Sequence, residues 1–223
     1  MFVKVCGITN EDDALLAVAM GADAIGFVFA PSKRQVTVNV AADIVKRLPN
    51  DVLVVGVFRD ETPEKVVETV HRAGLRGAQL HGHESPEETW WVGERLPFVI
   101  KAFVAGNRGV KDASGYRASA ILLDAPSPGS GQVFDWRLAD GVPDKSRLIV
   151  AGGLDADNVA AAIEATRPWG VDVSGGVEAS PGRKDPRKVR SFIANARAAF
   201  ERYTPGAERG DGLYDWAHED PNE

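Results

Sequence analysis

At 223 residues, 44% hydrophobic and 26% charged, the chain has the composition of an ordinary globular protein of one large domain or two small ones. It has no run of about 18 apolar residues and no charged-then-apolar leader, so neither a membrane-spanning helix nor a secretory signal is expected; its single cysteine, Cys6, leaves no internal disulfide and fits a reducing cytoplasm. Of the net charge of −6, residues 204–223 hold −5, with six acids against Arg209 alone; residues 1–203 are left with −1 and no basic stripe, so nucleic-acid binding has nothing to rest on and an anionic ligand needs local donors.

Short apolar runs rich in β-formers alternate with helical patterns along the chain. In order, the expected strands are Phe2–Cys6, Ala24–Phe29, Val52–Phe58, Gly77–Leu80, Phe98–Phe103, Ala120–Leu123, Leu148–Val150 and Val171–Val173. The helical patterns between them cover Glu11–Met20, Val40–Arg47, Pro63–Ala73, Pro86–Arg95, a weak stretch near Val110–Tyr116, a short one near Trp136–Asp140, Ala156–Thr166 and Pro186–Arg202. Thr62 before Pro63 and Ser85 before Pro86 are start signals, a cap residue followed by proline in the first turn. Near-continuous apolar runs such as Val52–Phe58 read as strands covered on both faces. Eight strand–helix units imply parallel strands with crossover helices, and the expected fold is a single α/β (β/α)8 barrel over residues 1–203, with an open doubly wound sheet as the alternative. Residues 204–223, acidic and rich in glycine and proline, read as a tail outside the fold.

Either architecture places a ligand at the carboxyl ends of the strands. The most informative of these ends is the eighth. There an apolar run breaks into Ser174-Gly175-Gly176, which bares backbone N–H groups and a hydroxyl where a helix could begin. A second such turn, Gly152-Gly153, follows the seventh strand, and the two together suggest a shared phosphate pocket. Titratable groups at the other ends are few: Cys6, Arg34, Arg59, His81 and Asp124. They include no zinc-type cluster of histidines and carboxylates, and no dinucleotide fingerprint accompanies them. A sugar phosphate transformed by acid–base chemistry is the natural reading. Asp124 closes an apolar run without a basic residue, so partial desolvation suits it to a general acid, and Cys6 serves as a base if a neighbouring cation or dipole stabilises its thiolate. Asp172, a carboxylate in mid-strand, reads as a supporting hydrogen-bonding group. His81 reads as a neutral donor that shapes the site. Plainer roles stand beside these: Cys6 as a small buried hydrophobe, Asp124 as a cap or turn residue, and Gly152-Gly153 as a tight connection.

Lys4-Val5-Cys6-Gly7-Ile8-Thr9, Gln79-Leu80-His81-Gly82, Leu123-Asp124, Gly129-Ser130-Gly131 with Phe134-Asp135-Trp136, Ala151-Gly152-Gly153-Leu154 and Gly170 to Glu178 occur in that order. This ordered set, spread over about residues 1–200, resembles the phosphoribosylanthranilate isomerases of tryptophan biosynthesis. The resemblance implies a (β/α)8 barrel that needs no cofactor and no metal. It also implies an Amadori rearrangement of N-(5-phosphoribosyl)anthranilate to 1-(2-carboxyphenylamino)-1-deoxyribulose 5-phosphate. Position by position, it makes Cys6 the general base, Asp124 the general acid and Arg34 the group near the anthranilate. The phosphate grip falls to Gly152, Gly153, Ser174 and Gly175, and His81 and Asp172 join the substrate-binding set. Two departures stand out: Lys33 where the family usually has proline, and Gly175 where a second serine is common. A related histidine-pathway isomerase would carry aspartates at the first and fifth strand ends, where this chain has Cys6 and Phe103-Val104. A non-catalytic sugar-phosphate sensor on the same scaffold is disfavoured by the presence of both Cys6 and Asp124. The substrate is the only partner implied; monomer and homodimer both remain open, and nothing points to a membrane.

Overall fold

A computed structural model describes residues 1–106, 108–124 and 147–203. Eight parallel strands close on themselves in chain order: β1 (Phe2–Cys6), β2 (Ala24–Val28), β3 (Leu53–Phe58), β4 (Gly77–Leu80), β5 (Phe98–Val104), β6 (Ala120–Asp124), β7 (Leu148–Val150) and β8 (Gly170–Val173). β1 hydrogen-bonds both β2 and β8, which completes the closed barrel and removes the open-sheet alternative. The expected strands and the observed ones differ by no more than one residue at either end.

Helices α1 (Glu11–Ala19), α2 (Val38–Val45), α3 (Pro63–Ala73), α4 (Pro86–Gly93), α5 (Val159–Thr166) and α6 (Pro186–Tyr203) cover the barrel. Both proline start signals hold. Thr62 caps α3 by accepting from the Lys65 N–H, and Ser85 forms a reciprocal capping box with Glu88. The weak pattern near Val110–Tyr116 is a 3-10 segment, Arg108–Tyr116. Its Gly109, Ser114 and Gly115 supply little helix propensity. The pattern near Trp136–Asp140 and the residues from Gly129 to Trp136 lie outside the described residues, as does the tail from residue 204. Among the described residues no helix is long and apolar enough to cross a membrane.

Strand periodicity decides what fills the barrel. Alternate residues of each strand face inward, and Phe2, Leu53, Val55, Phe98, Ile100, Leu122 and Ile149 pack there as one buried cluster. At the amino-terminal mouth Trp169 stacks on Phe2 with ring centroids 4.5 Å apart, closing that end with aromatic surface. At the other mouth the same inward rows end in polar residues, Cys6 on β1, Gln79 on β4, Asp124 on β6 and Asp172 on β8. The polar ends of these inward rows thereby gather at one end of the barrel.

Candidate active site

A cavity of about 580 Å3 opens at the carboxyl ends of the strands. Every site residue expected from the sequence lines it: Cys6, Arg34, His81, Asp124, Gly152, Gly153, Asp172, Ser174 and Gly175. Cys6 reaches it from β1 and Asp124 from β6, so the thiol and the carboxyl share one cavity.

The two glycine turns meet physically. A Cβ on Gly176 would lie 1.9 Å from the Leu154 carbonyl oxygen, so the turn after β8 packs directly on the turn after β7. Gly152 and Gly153 adopt φ of 86° and 66°, a left-handed region that side chains rarely tolerate. The turn after β8 is shorter than the sequence suggested. Ser174 precedes a single 3-10 turn, Gly175–Val177, which runs into a two-stranded hairpin, β9 (Glu178–Ser180) and β10 (Arg183–Lys184), before α6 begins. No long helix starts there, so any donors this turn offers are local N–H groups with little macrodipole behind them.

Asp124 is not the isolated carboxyl expected from its strand. His81 Nε2 lies 3.2 Å from Asp124 Oδ2, and the Gln79 side-chain nitrogen lies 2.8 Å from His81 Nδ1. With the amide donating to Nδ1, the ring carries its proton on Nε2 and donates it to Asp124. An imidazole thus comes from the residue after β4, 43 residues away, a neighbour that the β6 sequence could not reveal. Gln79 is 1% exposed, and its Oε1 is the one buried side-chain oxygen or nitrogen among the described residues with no hydrogen-bond partner.

Arg34 lines the cavity but does not stand alone in it. Its Nε and Nη2 donate to Glu178 Oε1 and Oε2, each at 2.7 Å, a bidentate clamp. The Arg34 N–H also donates to Ser32 Oγ at 3.1 Å. With Lys33 in place of a rigid proline, these contacts hold the loop. Burial pushes the Glu178 carboxyl up, but the Arg34 hydrogen bonds and Lys184 outweigh it and hold the carboxyl below its ordinary range. Lys184 Nζ also donates to the carbonyl oxygens of Cys6 at 2.7 Å and Ser174 at 3.1 Å, which ties the base strand to the β8 turn.

Asp172 accepts from Lys4 Nζ at 2.9 Å, and the lysine side chain is entirely buried. The supporting role expected of Asp172 is therefore an ion pair across adjacent strands, whose register sets Lys4 beside Asp172. Burial, with the Asp172 charge, pushes the Cys6 thiol above its ordinary value; Lys4 and Lys184 pull it down only in part.

Lys4, Gln79, Glu178 and Lys184 were not singled out from sequence as site residues. For Lys4 a signal existed: a charged residue two positions before Cys6 in an apolar strand shares its face. Lys184 gave none, because its approach depends on the hairpin fold. Among the described residues no group of three or more His, Cys, Asp or Glu side chains converges as a metal site requires.

A closed barrel of eight parallel strands, with its polar residues gathered in one cavity at the carboxyl ends and two glycine turns in contact beside them, has the architecture of a (β/α)8-barrel enzyme. Within that class the chain belongs to the N-(5'-phosphoribosyl)anthranilate (PRA) isomerase family, whose model matches residues 3–195. It is 50% identical over 205 residues to the N-(5'-phosphoribosyl)anthranilate isomerase of Desulforudis audaxviator, covering 89% of this chain and 98% of that one. The crystal structure of phosphoribosyl anthranilate isomerase from Thermotoga maritima superposes with a TM-score of 0.81 at 44% identity, over 89% of this chain and 99% of the other. A structure of the enzyme in complex with reduced 1-(o-carboxyphenylamino)-1-deoxyribulose 5-phosphate matches at 43% identity and a TM-score of 0.79, with the same coverage.

Proposed function

We propose that the chain isomerises N-(5-phosphoribosyl)anthranilate to 1-(2-carboxyphenylamino)-1-deoxyribulose 5-phosphate, the Amadori step of tryptophan biosynthesis, with Asp124 as acid and Cys6 as base. The observation that carries this reading is the convergence of a lone thiol and a carboxyl in one cavity beside two touching glycine turns, in a chain of this family.

The chemistry assigns each group a task. Asp124 gives a proton to the furanose ring oxygen, and the ring opens to the protonated imine. That cation is the electron sink for the next step. Cys6, as thiolate, takes the proton from C2′, and the electron pair moves into the C1′–C2′ bond to form the enolamine. Tautomerisation moves the enol hydroxyl proton to C1′ and leaves the ketone. Asp124 ends unprotonated and Cys6 protonated, so one proton returns between them before the next turnover. Acid and base each contribute about 10²–10⁴-fold. His81, donating to Asp124, orients the carboxyl toward the ring oxygen. The N–H groups around Gly152, Gly153 and Gly175, with the Ser174 hydroxyl, receive the phosphate. Arg34, aimed by Glu178, faces the anthranilate carboxylate. Lacking the common second serine, Gly175 contributes backbone donation only.

The test is turnover by the purified protein. With freshly prepared phosphoribosylanthranilate and no added metal or cofactor, the anthranilate fluorescence should decay far faster than in buffer. A decay equal to that in buffer rejects the assignment. Supplying the phosphoribosyl formimino substrate of the histidine pathway in parallel should give at most weak turnover, because Phe103-Val104 occupies the fifth strand end.

A further inference from the structure

Lys4 is a costly residue to place where it is. Its side chain has no solvent exposure, inside a barrel otherwise packed with aliphatic and aromatic groups. One ion pair with Asp172, itself 7% exposed, accounts for part of that placement. The rest lies beside the ammonium, where Lys4 Nζ and Cys6 Sγ border the same space over Gly26. Residues 4 and 6 point the same way along β1, and Gly26, the register partner of Cys6 on β2, leaves the space that both side chains border. A Cβ on Gly26 would stand 2.8 Å from Cys6 Sγ and 3.3 Å from both Cε and Nζ of Lys4. The backbone at Gly26 is not left-handed, so it is this close approach that excludes a side chain there.

We propose that Lys4 is a positioning residue for the isomerisation: its ammonium, paired with Asp172 and set beside Cys6 on the same face of β1, offsets the burial that favours the thiol and so lets Cys6 reach the thiolate that receives the C2′ proton. The proposal deepens the preceding reading and rests on Cys6 being the base. Asp172 then acts in two opposed ways. It makes a buried lysine tolerable, and it draws on the same positive charge that the thiolate uses. The other charged groups that reach Cys6 are Lys184 from β10 and Arg34 from the loop after β2, both of which favour the thiolate. His81, the residue after β4, and Asp124, from β6, act on Asp172 across the mouth.

This geometry makes a prediction that a purely structural pair would not. Because Cys6 is the only cysteine, the ultraviolet absorbance of its thiolate, taken as the difference from Cys6→Ser, can be titrated in the folded protein without substrate. In Asp172→Asn the whole ammonium charge serves Cys6, so the midpoint should fall by about one to three pH units, and the acid limb of kcat/KM should move down with it. Asp172→Asn and Lys4→Met each leave a buried group without its ion-pair partner, so thermal melts establish that a single variant is folded before it is titrated. The double variant Lys4→Met with Asp172→Asn removes both charges and should fold, with a midpoint above that of the wild type. Gly26→Ala, which forces the two side chains apart, should also raise it. An unmoved or raised midpoint in Asp172→Asn overturns the proposal, as does a double variant at or below the wild-type midpoint. The base assignment fails separately, by full turnover in Cys6→Ala, because the titration needs no catalysis.

Discussion

At the scale of single residues, the cavity is built from pairs, and each group given a task in the proposed reaction has a second residue beside it. His81 lies 3.2 Å from Asp124, Lys4 shares the β1 face of Cys6, and Glu178 clamps Arg34. The clamp has a measurable consequence. Arg34→Met should weaken ligands that carry the anthranilate group more than simple sugar phosphates, by about tenfold or more, since a charge-assisted bidentate contact contributes about 1.5–3 kcal/mol. Glu178→Gln should shift the same ratio in the same direction, because an untethered guanidinium samples other rotamers. Calorimetric titration with both ligand types decides this, and equal losses for the two classes would retire the role given to Arg34. These partners are also where sequence reading ran out. That Cys6, Arg34, His81 and Asp124 share one cavity was legible because strand ends can be read from hydrophobic runs. Apart from Lys4, which shares β1 with Cys6, their partners are distant in sequence, 144 residues for Arg34 and Glu178, and only barrel closure brings them together.

At the scale of elements, the boundaries follow local physics closely. Buried strands announce themselves by apolar runs, and α3 and α4 by Thr62-Pro63 and Ser85-Pro86. The largest local difference is after β8, where Ser174-Gly175-Gly176 suggested a helix start and the chain makes one 3-10 turn and a hairpin. Glycine at 175 and 176 favours tight turns over helix propagation, and the hairpin is needed to carry Lys184 back toward Cys6. The contact between the two glycine turns depends on Gly176. Gly176→Ala would drive a methyl group into the Leu154 carbonyl, forcing the turns apart. Affinity for phosphate-bearing ligands should fall at least about tenfold while far-ultraviolet circular dichroism remains that of the barrel. Unchanged phosphate affinity in a folded variant would separate the two turns as independent features.

At the scale of the whole molecule, the barrel contains charges that folding must keep satisfied. Lys101 donates to Glu84 at 2.6 Å, both side chains nearly fully buried outside the barrel wall, and Glu84 also accepts from the N–H groups of Asp60 and Gly82. Burial raises the Glu84 carboxyl, but the hydrogen bond from Lys101 and its charge outweigh burial and leave it below its ordinary value. Glu178 lies below its ordinary value as well. For a carboxyl depressed on folding, the stabilisation is complete above its unfolded pKa of about 4.3 and is lost as the pH falls through the folded value. Urea midpoints should therefore hold steady near neutrality and fall below about pH 4. Glu84→Gln should be less stable near neutral pH, by up to about 3–5 kcal/mol for a broken buried pair, and should lose less on acidification. Parallel curves for the two proteins would show that Glu84 carries no share of the acid sensitivity. The closed eight-stranded topology was legible from the count of alternating units, and its polar carboxyl-terminal mouth from which strand ends carry titratable groups.

The measurement that bears most directly on the whole account is turnover of phosphoribosylanthranilate by Cys6→Ala, Asp124→Asn and the double variant, followed by loss of anthranilate fluorescence and accompanied by thermal melts. The account predicts folded proteins in which each single change removes about 10²-fold or more of the rate, with the double variant little worse than the slower single, because the two groups act on successive steps of one reaction. Wild-type turnover in either folded single variant would contradict it.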